Sequence, residues 1–266
     1  MKTVVITGSA RGFGYAMLEL FYKNNFNVVV TDINETELDK AVIKLAKIES
    51  EGEILSFNVD VTKSSDIDIV IKETIAEFGG IDIWINNAGV NQPNKPIWEL
   101  DENTINRLID IDIKAVVNST RLVLNQMNKQ GYGAIYNVEG HGSNDATITG
   151  LSIYGMSKRA ITYFTDALIH EVKEKNINVT IGKITPGIMI TNFISTSLGD
   201  GEKVDLDEKT KKVYNILGDY PETIAEFMVK RIINNKKKYP KFVWLTNKRA
   251  AWRFMTSGLN KNNYFE

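Results

Sequence analysis

The 266-residue chain contains no cysteine, which excludes disulfides and thiolate metal sites. It has only two histidines, His141 and His170, too few for a histidine-rich metal centre. No apolar run approaches the roughly 20 residues that a bilayer-spanning helix needs. Internal repeats and low-complexity tracts are also missing. The first residues, MKTVVITG, enter a strand at once and leave no room for a signal peptide. A cytoplasmic protein without an integral membrane span is therefore expected.

The composition is that of a soluble globule, with 43% hydrophobic and 24% charged residues. The length suits one large α/β domain better than two small ones. A net charge of −1 conceals an asymmetry: residues 230–266 carry ten Lys/Arg against one acid, which leaves the remainder near −10. The same basic segment holds Trp244, Trp252, Phe254, Tyr264 and Phe265. The plain reading is a C-terminal segment packed on the body or on another subunit. The sharper reading is contact with an anionic surface or an acidic partner.

Short β-branched runs alternate with helical patterns. KTVVIT, NVVVTD, EILSFNV, IDIWIN, AIYNV, INVTIGKI and KFVWLT read as seven strands. Between them, residues 12–24, 34–50, 64–78, 102–129 and 152–175 carry helical periodicity, the second with Asn34 as its cap. Alternation of this kind predicts a Rossmann-type, doubly wound parallel sheet covered on both faces. Its ligands should bind at the carboxyl edge of the strands. Residues 1–246 are expected to form the dinucleotide-binding and catalytic domain, with a substrate loop or lid at about 187–220 and a basic aromatic tail at 247–266.

The stretch TGSARGFG sets Gly8, Gly12 and Gly14 between the first strand and the first helix. Glycine there permits a tight turn and close approach of the backbone, and the helix N-terminus offers free N–H groups to a pyrophosphate. Its spacing, G-x-x-x-G-x-G, differs from the dinucleotide fingerprint G-x-G-x-x-G. NNAG at 86–89, YGMSK at 154–158 and PG at 186–187 follow in order. Taken together, these motifs resemble the classical short-chain dehydrogenase/reductase family over roughly residues 1–246. NVEGHGSN, YGMSKRA and AAWRF also look like a branch related to chlorophyll b reductases.

The resemblance implies a nicotinamide cofactor held by Gly8, Ser9, Arg11, Gly12, Phe13 and Gly14. Asp32, at the end of the second strand, can accept hydrogen bonds from both adenosine ribose hydroxyls and would repel a 2′-phosphate. Arg11 points the other way, since a basic residue there can pair with that phosphate in this family. NAD is the expected cofactor and NADP the alternative. The resemblance further implies that Asp60 and Val61 hold adenine and that Asn87 fixes backbone. Ala88 and Gly89 would leave room for the cofactor, Pro186 and Gly187 turn under the nicotinamide, and Ile188 and Thr191 meet its carboxamide or phosphate. No metal is implied.

Tyr154 and Lys158 are four residues apart and share a helix face. A nearby ammonium favours the tyrosinate of a group whose free pKa is about 10. Tyr154 could then pass a proton to a carbonyl oxygen, or take one from an alcohol, while Lys158 also bonds the nicotinamide ribose. The family's assisting serine is out of place. The strand runs into EGHGS, with Glu139 and Gly140 where two serines often stand, and the nearest serine is Ser143. Ser143 is the expected third catalytic residue, with the glycines folding the loop, and His141 is a candidate substrate or acid/base contact. Asp112 stands where the family often has an asparagine that supports a water-linked proton relay, so that relay is expected to be altered.

These residues point to an NAD(P)-dependent oxidoreductase that interconverts a carbonyl and a secondary alcohol on a small molecule, not a nucleic acid. A homodimer or homotetramer is implied by resemblance. Two alternatives stay open: a catalytically weak nucleotide-binding regulatory or scaffold protein on the same fold, and a membrane-surface reductase of a lipid-like or pigment-like substrate.

Overall fold

In the computed structural model, residues 1–191, 208–259 and 262–264 are described. Seven parallel strands form one sheet in the order β3-β2-β1-β4-β5-β6-β7. They are β1 (Thr3–Ile6), β2 (Asn27–Asp32), β3 (Ile54–Asn58), β4 (Ile83–Asn86), β5 (Ala134–Val138), β6 (Thr180–Thr185) and β7 (Lys241–Val243). The order reverses between β1 and β4, the switch point at which a doubly wound sheet opens a crevice for ligands.

Alternate residues of each strand enter opposite cores, because side chains on a strand alternate between the two faces. Val4 and Ile6 of β1, with Val28 and Val30 of β2, pack on one face under α1 (Gly12–Lys23) and the helix Pro221–Ile233. Val5 and Val29 face the other core, under α3 (Ser64–Phe78), α5 (Val116–Gln130) and α6 (Ser152–Glu174). This two-sided burial explains the continuous apolar runs of these strands. Each buried valine or isoleucine contributes about 1.5–3 kcal/mol.

Helix starts follow local chemistry. Asn34 Oδ1 accepts from Glu37 N at 3.0 Å to start α2 (Glu35–Leu45). Asp101 Oδ1 accepts from Thr104 N at 2.8 Å to start α4 (Glu102–Ile109).

Three expectations need correction. Helix α2 stops at Leu45, short of residue 50. The helical region from 102 is not uniform: six residues, Asp110–Ala115, form a π-helical turn between α4 and α5. The stretch 187–220 is not loop throughout, because Glu208–Leu217 is a helix and Met189 bridges to Asp219. Residues 192–207 of the expected substrate loop lie outside the described residues, as does Phe265 of the tail.

The tail helix Asn247–Met255 lies against the body. Arg253 makes a bidentate pair with Asp219, at 2.7 and 3.0 Å, and Asp219 also accepts from Trp244 Nε1 at 2.6 Å. The Arg249 guanidinium stacks 3.8 Å from the Trp244 ring centroid. Much of the basic aromatic character is thus used internally, though Trp252 and Met255 stay exposed. Among the described residues, no helix is long and apolar enough to cross a membrane.

Candidate active site

The site lies along the carboxyl edge of the sheet. After β1 the chain turns through Gly8 at φ +62° and Gly12 at φ +59°, left-handed values that suit glycine. A Cβ on Gly8 would lie 2.9 Å from the Ala88 Cα, so the turn after β1 and the turn after β4 are in contact. Asn87 Nδ2 clasps them by donating to the carbonyls of Thr7 and Gly8, at 2.9 and 3.0 Å. The Thr7 hydroxyl accepts from Asn87 N and Ala88 N, both at 3.0 Å. Among the described residues a Cβ on Gly12 would meet nothing within 4 Å, so the first residue of α1 faces open space, whereas a Cβ on Gly14 would lie 2.5 Å from Gly8 O and 2.6 Å from Asn87 Nδ2.

Asp32 ends β2 beside this turn. Its carboxylate accepts from Ala10 N at 3.4 Å and from Asn34 N at 3.1 Å, which fixes a negative group at the rim. Arg11 is exposed. Ser9 and Phe13 present no side chain to solvent: the Ser9 hydroxyl accepts from Thr31 N at 3.1 Å, and Phe13 belongs to the core. Any cofactor contact at those two positions is through backbone. On the next loop, Asp60 accepts from the Thr62 N–H and hydroxyl, at 3.0 and 2.7 Å. Burial raises its pKa, but those bonds and Lys63 prevail and the net direction is down. Val61 follows it, half-buried.

Tyr154 and Lys158 occupy the first two turns of α6, and the ammonium lies 5.4 Å from the Tyr154 ring centroid. The π turn carries Asp112, fully buried, to the same point. Its Oδ2 pairs with Lys158 Nζ at 3.1 Å, and its Oδ1 accepts from Val90 N at 2.8 Å. Burial opposes the Lys158 charge, but Asp112, with a further contribution from Tyr154, more than offsets this and the pKa moves up. Burial pushes Tyr154 up, Lys158 pulls it down, and Asp112 and Tyr214 push it up again, with a net upward shift.

The EGHGS loop separates into distinct tasks. Glu139 turns away from Tyr154 and is buried; it accepts from the hydroxyls of Thr162 and Thr185, at 3.0 and 2.6 Å, and pairs with Lys241 at 2.8 Å. Gly140 faces the reactive tyrosine, since a Cβ there would lie 2.5 Å from Tyr154 Oη. Gly142, at φ +95°, lies against Gly155, where a Cβ would approach the backbone to 2.5 Å. Both glycines let the loop close on the start of α6.

Both hydrogen bonds of Ser143 Oγ go to backbone: it accepts from Gly140 N at 3.2 Å and donates to Lys158 O at 3.4 Å. Ser143 therefore braces the loop against α6, one bond away from the residue that meets Tyr154. His141 is half-buried; among the described residues its Nε2 has no hydrogen-bond partner, and burial lowers its pKa.

One site residue escaped sequence reasoning. Helix α6 begins after Leu151, which supplies no cap, and its first N–H groups need a partner from elsewhere. Gln92 provides it from the loop after β4. Its Oε1 accepts from Ile153 N and Tyr154 N, at 2.9 and 3.0 Å, while Nε2 donates to Gly150 O at 2.6 Å. The missing local cap was the available signal. Replacing Gln92 with alanine leaves these groups unpaired, for a loss of about 1–3 kcal/mol. The expected result is a melting temperature several degrees lower and a fall in kcat larger than the change in KM, measured by calorimetry and steady-state kinetics.

After β6, Pro186 is buried and Gly187 adopts φ +79° against Leu245. Ile188 O accepts from Asp219 N at 3.1 Å, and Ile190 N donates to Asp219 O at 3.0 Å. This segment is thus tied to the Asp219–Arg253 cluster and the tail helix. Thr191 is its last described residue.

Comparisons with known proteins bear on the family and the fold. Residues 2–200 match the short chain dehydrogenase family. A probable chlorophyll(ide) b reductase of Arabidopsis thaliana is 27% identical across 100% of this chain, which spans 55% of that relative's length. A diacetyl reductase of Staphylococcus epidermidis is 31% identical over 78% of both chains. A solved short-chain dehydrogenase of Sphingobium yanoikuyae, in complex with NADPH, shares the fold with a TM-score of 0.76 at 21% identity, covering 97% of this chain and 94% of that one. The chain belongs to the short chain dehydrogenase family.

Proposed function

We propose that this protein is an NAD(P)-dependent oxidoreductase that interconverts a carbonyl and a secondary alcohol. The observation that carries this reading is the convergence of Tyr154, Lys158 and the open glycine turn on one edge of the sheet. The residues fit a dinucleotide: an uncovered helix N-terminus for the pyrophosphate, Asp32 for the ribose, and Gly89 beside Lys158, where a Cβ would lie 3.3 Å from Nζ. When bound, the nicotinamide supplies or accepts the hydride. Tyr154 gives its hydroxyl proton to the carbonyl oxygen as that carbon is reduced, or takes a proton from the alcohol in the reverse sense. Lys158 steadies the charge that Tyr154 acquires. Ser143, which braces the loop through Gly140 N and Lys158 O, is the proposed third catalytic residue and would meet the substrate oxygen by rotating away from those backbone groups.

The test is a panel of carbonyls and alcohols followed by nicotinamide absorbance. A regulatory or scaffold protein would bind the nucleotide and turn over none of them. Two of the relatives named above are a probable chlorophyll(ide) b reductase and a diacetyl reductase, which supports the reaction class and leaves the substrate open. A homodimer or homotetramer and a cytoplasmic location are part of the same proposal.

NAD is the proposed cofactor. A fixed carboxylate beside the ribose repels a 2′-phosphate, whereas exposed Arg11 can swing into solvent. The expected preference for NAD is about tenfold or more in kcat/KM, equivalent to about 1.4 kcal/mol. Asp32→Ser should erase it. A wild-type preference for NADP would overturn this assignment.

A further inference from the structure

Asp112 has no part in the proton transfer just described, yet it is the most deeply placed charge at the site. We propose that Asp112 is a positioning residue whose direct ion pair to Lys158 holds Tyr154 in its protonated form and biases the site toward carbonyl reduction. This rests on the oxidoreductase reading and goes beyond it in assigning direction.

Three observations support the proposal. The carboxylate is fully buried and both oxygens are engaged, one by Val90 N at 2.8 Å and the other by Lys158 Nζ at 3.1 Å. Ser157 Oγ adds a contact to Oδ2 at 3.4 Å, from the same helix as Lys158. The π-helical turn Asp110–Ala115 brings the side chain inward, a local departure of a kind often found at functional sites.

The charge count then sets the direction. With aspartate at 112, the pair with Lys158 is neutral before Tyr154 ionises, and the cluster carries a net negative charge after. With asparagine there, the cluster would go from positive to neutral. Losing the Tyr154 proton is therefore harder in this chain. A protonated tyrosine can donate to a carbonyl oxygen, whereas alcohol oxidation needs the tyrosinate.

Among the described residues, the other groups around the cluster do not cancel this effect. Tyr214, on the helix Glu208–Leu217, is held neutral by burial. His141, beside Gly140 in the loop that faces Tyr154, is also pushed toward its neutral form. Glu139 is directed to Lys241, Thr162 and Thr185.

The experiment is a difference absorbance titration of Tyr154, wild type minus Tyr154→Phe, in nucleotide-free protein, repeated on Asp112→Asn. Asparagine keeps an acceptor for Val90 N and removes the charge. The expected result is a Tyr154 midpoint above that of free tyrosine in wild type, moved down by about one pH unit or more in Asp112→Asn. An unmoved or raised midpoint in the variant overturns the proposal. Should the variant not fold, a wild-type midpoint at or below about 10 overturns it by itself.

The titration needs no substrate, so its outcome is separate from failure of the oxidoreductase reading, which the carbonyl panel detects. With a substrate in hand, Asp112→Asn should extend alcohol oxidation to lower pH. It should also move the alkaline limit of carbonyl reduction to lower pH.

Discussion

Tyr154→Phe is expected to lower kcat by about 10²–10⁴-fold, the usual contribution of a positioned general acid or base. Phenylalanine keeps the ring and removes only the hydroxyl. The packing of α6 on the EGHGS loop should survive, because Gly142 lies against the Gly155 backbone and Ser143 Oγ donates to Lys158 O; only the approach of Gly140 to the phenol oxygen is lost. Lys158 also keeps an aromatic face to lie over at the 5.4 Å separation of the native pair. Tyr154 is expected to touch the nicotinamide end of the cofactor, but the bonds that hold Gly8, Asp32 and Asn87 at the nucleotide-binding edge do not pass through its hydroxyl. Nucleotide affinity should therefore change by no more than about twofold to threefold while turnover collapses, a pattern that marks lost transition-state interaction. Equal turnover by wild type and variant would remove Tyr154 from the mechanism. Nicotinamide absorbance with any substrate from the carbonyl panel decides it.

The parts that could be read from the sequence are those set by local chemistry. Strand runs such as NVVVTD and VVI are apolar on both faces, which only a doubly covered parallel sheet explains. The Asn34 cap and the TGSARGFG turn each depend on residues within a few positions of one another. Tyr154 and Lys158 follow from spacing on a single helix. Other features depend on contacts between segments far apart in the chain. The direction of Glu139 is set by Thr162, Thr185 and Lys241, 23 to 102 residues away. Gln92 acts across 62 residues on the backbone of Tyr154. The π turn at Asp112 has no periodic signature, because its neighbours read as continuous helix on either side. Ser143 is the nearest serine to the end of the fifth strand, yet the loop folds its hydroxyl onto the backbone of Gly140 and Lys158.

Lys158→Met should damage stability as well as activity, and the two losses should be separable. Removing the ammonium leaves the Asp112 carboxylate buried with one oxygen unpartnered by charge. Breaking a buried ion pair from one side costs about 3–5 kcal/mol, mostly the penalty of the stranded charge. Methionine preserves most of the stem volume, so the loss should not come from a cavity. The double variant Lys158→Met/Asp112→Asn removes the stranded charge and should recover most of that stability, measured by denaturant unfolding. It should not recover turnover, because Tyr154 would still lack the cation that steadies its oxyanion and that the ribose would meet. If the double variant were no more stable than Lys158→Met, the pair would not be the source of the loss. If instead it regained turnover, Lys158 would act only through Asp112 and not on Tyr154.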